Sequence, residues 1–366
     1  MMRHAAAKLR ACVISFGLPV FLVVQISFVL TLTLAANSPA SAWHYCEFPP
    51  CSVTYPNLDS SYSPSTVKNL GGYSPDTNMR PDCVCEKLSG NPIDHTTGNK
   101  YQLEQDYVGS GPFALQLNRH YNSLATGTAG AFGANWSDDF SGKLQRVSAT
   151  SVRIVKGSNK VLTFTQTGGV WKSDTDVNSR LTSVLGSGGT IDWRYTTGAD
   201  TVESYDGSGK LIRITNRAGL TQTLAYDAQG RLASVTDPFG RALSFTYDAQ
   251  NRINGMIDPG GGKYLYAYDG SNNLTSVTYP DGATRRYVYG NTAFPHALTG
   301  IIDEKGVRFA TWGYNSAGLA VSSEHAGGVD KMTLAYDFTN GQTSVTDALG
   351  SKTIYFYGTS FGAVRP

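Results

Sequence analysis

The chain has 366 residues, with 30 basic and 28 acidic side chains, a formal charge of +2 and only 16% charged residues. That near-balance, with no long basic run, excludes the concentrated cationic surface that nucleic-acid binding requires. The composition includes 40 Gly, 21 Tyr and 15 Phe, which points away from helices and towards strands joined by tight turns, and the length allows two or more domains.

The first 42 residues read as an export leader. Arg3, Lys8 and Arg10 stand without an acid, residues 11–36 are almost wholly apolar, and Ser38-Pro39-Ala40-Ser41-Ala42 places small residues at Ala40 and Ala42. This is the pattern of a secretory signal cleaved after Ala42. The apolar stretch is also long enough to cross a bilayer. An uncleaved anchor is therefore the competing reading, and the sole membrane attachment expected. The well-formed cleavage site favours removal. The product would be exported to the periplasm, the cell surface or the medium.

Residues 43–89 contain Pro49, Pro50, Pro56, Pro64, Pro75 and Pro81 among many Ser and Asn. Proline disfavours both helix and central strand, so this segment reads as an irregular linker. Cys46, Cys51, Cys83 and Cys85 lie in it. An even count in an exported chain favours disulfides. A Cys83–Cys85 bond would close a very short, strained loop, so links are expected between the Cys46/Cys51 pair and the Cys83/Cys85 pair. The spacings do not match the usual zinc patterns, and no metal is expected.

From 90 to about 200 the pattern becomes short strands, and this stretch reads as a smaller β-rich domain. Phe113, Leu115 and Leu117 alternate as a half-buried strand should. Similar runs occupy 152–155, 161–164 and 191–195, with breaks such as Gly157-Ser158-Asn159 that predict turns.

An internal repeat begins at Tyr205. Tyr205, Tyr226, Tyr247, Tyr268 and Tyr289 are each 21 residues apart, and Tyr314, Tyr336 and Tyr357 continue the series. Asp206, Asp227, Asp248 and Asp269 follow the first four. Gly219, Gly240, Gly261 and Gly282 form a second series in phase with the first, and Leu211, Leu232, Ile253 and Leu274 a third. Three series sharing one period define a repeat array over 201–366.

Each unit predicts one strand pair with two reversals. Over 231–251, strands at 231–236 and 241–247 flank Asp237-Pro238-Phe239-Gly240, a type I turn in which Asp accepts a local hydrogen bond and Pro sets φ. Asp248-Ala249-Gln250-Asn251 forms the second reversal. Gly230 occupies the place of Asn251 one repeat earlier, and both residues tolerate a left-handed backbone. Two residues before the later repeat tyrosines stand Leu224, Phe245, Tyr266, Tyr287, Trp312, Leu334 and Tyr355. That spacing puts each on one sheet face with its Tyr, and stacked hairpins would bury the stripe that a lone hairpin cannot. Glu203 breaks the rule before Tyr205, at the junction with the preceding domain.

Few residues suggest chemistry. His120 is near Asp106 in sequence, but no Gly-x-Ser-x-Gly elbow accompanies it, so a structural His is favoured over a hydrolase. The recurring aspartates could in principle serve a glycosidase or bind calcium; a turn needed in every unit explains them better. The aromatic stripe is expected to be core, with stacking of sugar rings as the rival. No phosphate loop is present, and neither a cofactor nor a catalytic residue is expected.

In Tyr226-Asp227-Ala228-Gln229-Gly230-Arg231-Leu232 and its weaker copies the chain resembles the Rhs, or YD-repeat, family. Upstream, Gly90-Asn91-Pro92-Ile93, Gly98-Asn99-Lys100, Asp106, Arg119-His120-Tyr121-Asn122-Ser123, Phe132-Gly133 and Trp136 resemble the domain that commonly precedes Rhs repeats. The resemblance implies an all-β hairpin array forming part of a spiralling sheet or shell. It further implies a non-enzymatic scaffold that encloses or presents an effector polypeptide, downstream or separate, with its delivery machinery. A surface adhesion module binding carbohydrate or a partner protein is the alternative. Complete members carry a core segment and an effector after the repeats, so this chain is expected to be an incomplete portion of a longer protein.

Overall fold

The two reversals that flank the strand Leu232–Thr236 are built from the same local hydrogen bonds. At Asp227 the backbone N–H donates to the Arg231 carbonyl and the Gly230 N–H donates back to the Asp227 carbonyl, each at 2.9 Å. Asp227 Oδ1 accepts from the Gln229 and Arg231 N–H groups at 3.0 and 2.8 Å. Gly230 has φ +76°. This is a three-residue hairpin loop, a type I turn closed by a left-handed residue. The same bonds recur at the opposite reversal, where Asp237 Oδ1 accepts from the Phe239 and Arg241 N–H groups. Asn251 and Asn272 take the left-handed position at φ +62° and +67°, where most side chains would be strained.

The computed structural model describes residues 88–125, 130–174, 177–185, 191–360 and 363–365. The expected leader, nearly all of the linker and the four cysteines lie outside the described residues.

Between these turns runs one antiparallel sheet of 21 strands, from Lys143–Ser148 to Lys352–Phe356, in which successive strands pair as neighbours. The ladder continues without a break across position 200: Tyr195 pairs Glu203, and Glu203 pairs Ile214. The sheet's first strand folds back against a later turn, where Lys143 bridges Lys210 and the Leu144 N–H donates to the Gly209 carbonyl at 2.8 Å.

One face of the sheet carries the core. Leu224, Phe245, Tyr266, Tyr287, Trp312 and Leu334 are buried, while Tyr355 is only half-buried. Cross-strand pairs extend the layer: Leu224 faces Val235, Phe245 faces Met256 and Tyr266 faces Val277. Each such side chain contributes about 1.5–3 kcal/mol by leaving water. A separate three-stranded sheet, Tyr101–Val108, Gln116–Asn122 and Trp136–Asp138, contributes Leu117, Tyr121 and Trp136 to the same hydrophobic core.

One expected strand begins later than the alternation predicted. Leu115 and Leu117 are buried, but the strand starts at Gln116, and Phe113 sits in the preceding turn at φ +51°. The Gly109 N–H donates to the Leu115 carbonyl at 2.8 Å, so the hairpin reversal takes in Gly111, Pro112 and Phe113 and leaves no room for a longer strand.

Candidate functional site

The repeat-defining side chains satisfy the chain's own backbone. Tyr226, Tyr247 and Tyr268 donate from their hydroxyls to the carbonyls of Leu211, Leu232 and Ile253 at 2.6, 2.8 and 2.7 Å. Tyr314 reaches Leu298 at 2.8 Å and Tyr336 reaches Ala320. Each hydroxyl thus ties one repeat to the one before it. Tyr205 and Tyr289 differ. Tyr205 is fully buried and donates to Glu203 at 2.6 Å, and Glu203 also holds Lys156. Tyr289 accepts from Trp136 Nε1 at 2.9 Å. Asp206, Asp248 and Asp269 cap their turns as Asp227 does. Gly219, Gly240, Gly261 and Gly282 hold φ between +81° and +85° at the opposite reversals.

The inner face of the repeat sheet is covered by the chain's own residues 88–125 and 130–140, and the contact is polar as well as apolar. Tyr101–Val108 carries a bulge: Gln105 pairs Asn118 and Tyr107 pairs Leu117, leaving Asp106 without a cross-strand partner. A bulge re-aims a side chain, and Asp106 is buried beside Arg119. Arg119 Nε and Nη2 donate to the two Asp106 oxygens at 2.6 and 2.8 Å. The repeat sheet completes the cluster. Tyr266 donates to Asp106 at 2.9 Å, Arg119 Nη2 donates to the Tyr287 hydroxyl at 2.8 Å, and Arg285 pairs with Glu104 at 2.6 Å. The rings of Phe132, Trp136, Tyr266 and Tyr287 surround the guanidinium at 4.8–5.8 Å, a cation–π cage in a dry setting. Burial opposes the Arg119 charge, but Asp106 together with Tyr287 and Tyr266 outweighs that cost, so the group stays charged with its pKa above the ordinary arginine range. Burial first, and then the neighbouring acids, push Tyr266 and Tyr287 well above the usual tyrosine range.

Main-chain bonds seat the same segment. The Ile253 N–H donates to the Ala131 carbonyl at 2.7 Å, the Ala134 N–H to Asn272 at 2.8 Å and the Ala320 N–H to Gly98 at 2.9 Å. Gly133 lies so close that a Cβ would stand 2.6 Å from the Asn272 carbonyl oxygen. Trp312 Nε1 donates to the Asn91 carbonyl at 2.7 Å, and Thr343 donates to the His95 carbonyl at 2.7 Å.

The imagined pairing of His120 with Asp106 does not occur, because Arg119 occupies both Asp106 oxygens. His120 Nδ1 meets the Tyr101 hydroxyl at 2.8 Å and its Nε2 meets Asp139 at 2.7 Å. Both ring nitrogens are thus used within the fold. Glu104 and Arg285 are the members of the cluster that sequence reasoning missed. No periodic signal marks them, since Glu104 and Asp106 turn inward while Leu103 on the same strand is exposed.

Residues 174–363 match the family described as Teneurin YD-shell. The chain belongs to the Teneurin YD-shell family. Its YD-shell region takes in most of the repeat sheet, and residues 90–164 match a domain of unknown function, DUF6531. No curated protein matches. Solved structures similar to this YD-shell chain include the Photorhabdus luminescens Tc holotoxin pore carrying the TccC3 D651A mutation, at 12% identity, TM-score 0.25, 74% of this chain and 15% of that one. Another is TcdB2–TccC3 without its hypervariable C-terminal region, at 11% identity, TM-score 0.25, 74% of this chain and 15% of that one. This chain thus spans a small part of the length of either.

Proposed function

We propose that this YD-shell chain is an exported, non-enzymatic scaffold that encloses or presents another polypeptide. One observation carries the reading: the inner face of the repeat sheet holds polypeptide, through main-chain bonds at Ile253, Asn272 and Ala320 as well as through buried side chains. A wall that seats backbone in this way can screen a folded or unfolded cargo from solvent, and steric enclosure needs no reacting group. The aromatic stripe that could have stacked sugar rings is buried as core, which favours the scaffold over adhesion to carbohydrate through that stripe.

The proposal takes an effector polypeptide, encoded downstream or separately, as cargo, and a delivery machinery as partner. Residues 1–42 serve as the export leader, residues 90–200 as the domain that opens the shell, and residues 201–366 as its repeats. Expressing the chain together with the polypeptide encoded beside it tests this. The cargo is expected to co-purify and to resist protease until the scaffold is unfolded. A cargo digested as fast with the scaffold as alone would overturn the reading.

A further inference from the structure

The repeat pattern lapses at a position that borders a cavity. In two successive turns the cation after the turn bonds both its own turn and the next. Arg231 Nε donates to Asp227 at 2.8 Å and its Nη1 to Asn251 Oδ1 at 2.8 Å. Arg252 repeats this with Asp248 at 2.7 Å and Asn272 at 3.2 Å. One repeat earlier the equivalent residues are Lys210 and Gly230. Gly230 offers no side-chain acceptor, and Lys210 forms no ion pair with an acid among the described residues. Its ammonium lies 5.0 Å from the centre of the Tyr226 ring. A Cβ at Gly230 would stand 2.5 Å from that nitrogen.

A second lysine stands opposite. Lys143 and Lys210 face each other across an antiparallel bridge. Side chains so opposed share a face, and like charges there repel. Lys143 likewise has no acidic partner among the described residues. Both line a cavity of about 400 Å³, within the range of small-molecule sites. Asp138 lies on its wall, buried, with its carboxylate accepting the Phe140 N–H at 2.8 Å. It pairs with neither lysine. Asn251 and Asn272 line the same space, and each has an amide N–H₂ left after its oxygen is taken by an arginine.

We propose that this cavity binds a small polyhydroxy carboxylate. The two ammonium groups take the carboxylate, which relieves their repulsion. Asp138 accepts from ligand hydroxyls, and the asparagine amides donate to them. A bare anion such as inorganic phosphate fits less well, because it brings too few O–H groups to meet the Asp138 carboxyl.

Calorimetric titration of the full chain with glucuronate, glucose and inorganic phosphate tests this. Glucuronate is expected to bind at least about tenfold more tightly than either of the others, as befits a charge-assisted contact. Gly230→Asn restores the residue type found at Asn251 and Asn272, keeps the turn and captures Lys210. Lys210→Gln removes the charge. Each variant is expected to weaken glucuronate at least about tenfold with an unchanged circular dichroism spectrum, and Lys143→Gln serves if either misfolds. Glucuronate binding no tighter than glucose or phosphate, or binding untouched by the variants, would overturn the assignment.

Discussion

The Tyr247 hydroxyl donates a 2.8 Å hydrogen bond to the Leu232 carbonyl, fifteen residues earlier. Leu232 opens the strand Leu232–Thr236, yet its ladder with Ala242–Tyr247 begins only at the Ser234–Ser244 pair. The two strands splay beyond that pair, and the tyrosine fills the gap. The ladders beginning at Arg213–Thr223 and Gly255–Leu265 leave the same gap, which Tyr226 and Tyr268 fill.

Tyr247→Phe keeps the ring and strands the Leu232 carbonyl. A loss of about 1–3 kcal/mol is expected, the cost of an unsatisfied backbone acceptor, read as a shift in the urea midpoint at constant slope. Tyr226→Phe and Tyr268→Phe should cost similar amounts, since each bond is equivalent. A neutral outcome at all three would show that water replaces the hydroxyl.

The Asp106–Arg119 pair is buried on both sides. Arg119→Met leaves the Asp106 carboxylate uncompensated, and a loss of about 3–5 kcal/mol is expected. The double variant Arg119→Met/Asp106→Asn should recover part of that loss, because no lone charge remains. Denaturation of the two variants side by side separates the cost of an orphaned charge from the worth of the pair.

Two glycines separate strain from close approach. Gly209 and Gly219 have φ +86° and +81°, so Ala at either position is strained by about 1–2 kcal/mol. A Cβ at Gly219 meets nothing within 4 Å, whereas one at Gly209 would stand 1.9 Å from the Leu144 carbonyl oxygen. Gly209→Ala should therefore cost clearly more than Gly219→Ala and should loosen the first strand of the sheet. Hydrogen exchange at the Leu144 amide, which donates to Gly209, reads that loosening.

Acidic residues pull the pH dependence in opposite directions. Burial pushes the Asp138 carboxyl up to about 6, aided by Asp139 and opposed by the Phe140 N–H and by His120. A carboxyl raised in the folded state stabilises below its unfolded value, and that stability is lost as pH rises through the folded value. Burial would also raise Asp237 and Asp248, but their turn N–H groups and the following arginines outweigh it and hold both below the usual range. Their stability is present above the unfolded value and lost as pH falls through the lower folded one. Asp138→Asn is expected to gain roughly 2–3 kcal/mol over wild type near pH 7 and nothing at pH 3. A pH series of denaturation midpoints checks the sign.

The turns were legible because their chemistry is local. The bonds that close the turn among Asp227, Gln229, Gly230 and Arg231 lie within five residues, so the 21-residue period displays them directly. The strands at Ser151–Val155, Val161–Thr167 and Ile191–Thr196 were equally plain from apolar runs between breaks. The inward face was legible from residues such as Phe245 and Trp312, which recur two places before each tyrosine.

The cover over that face was not legible. Tyr101–Val108 alternates, but its buried positions include Glu104 and Asp106 while Leu103 and Val108 face out, the reverse of what hydrophobic patterning implies. Only partners far along the chain make those positions tolerable: Asp106 meets Tyr266 across 160 residues and Glu104 meets Tyr287 across 183.

The sequence by itself therefore determined the repeat, its reversals and its all-β class, because short-range hydrogen bonds and period-two burial act between near neighbours. Only the tertiary structure decided that the preceding segment lies across the inner face, that Arg119 is caged there, and that Lys143 is set against Lys210. Those outcomes depend on desolvated charges finding partners in distant strands, and the free energy of such encounters is written in no local pattern.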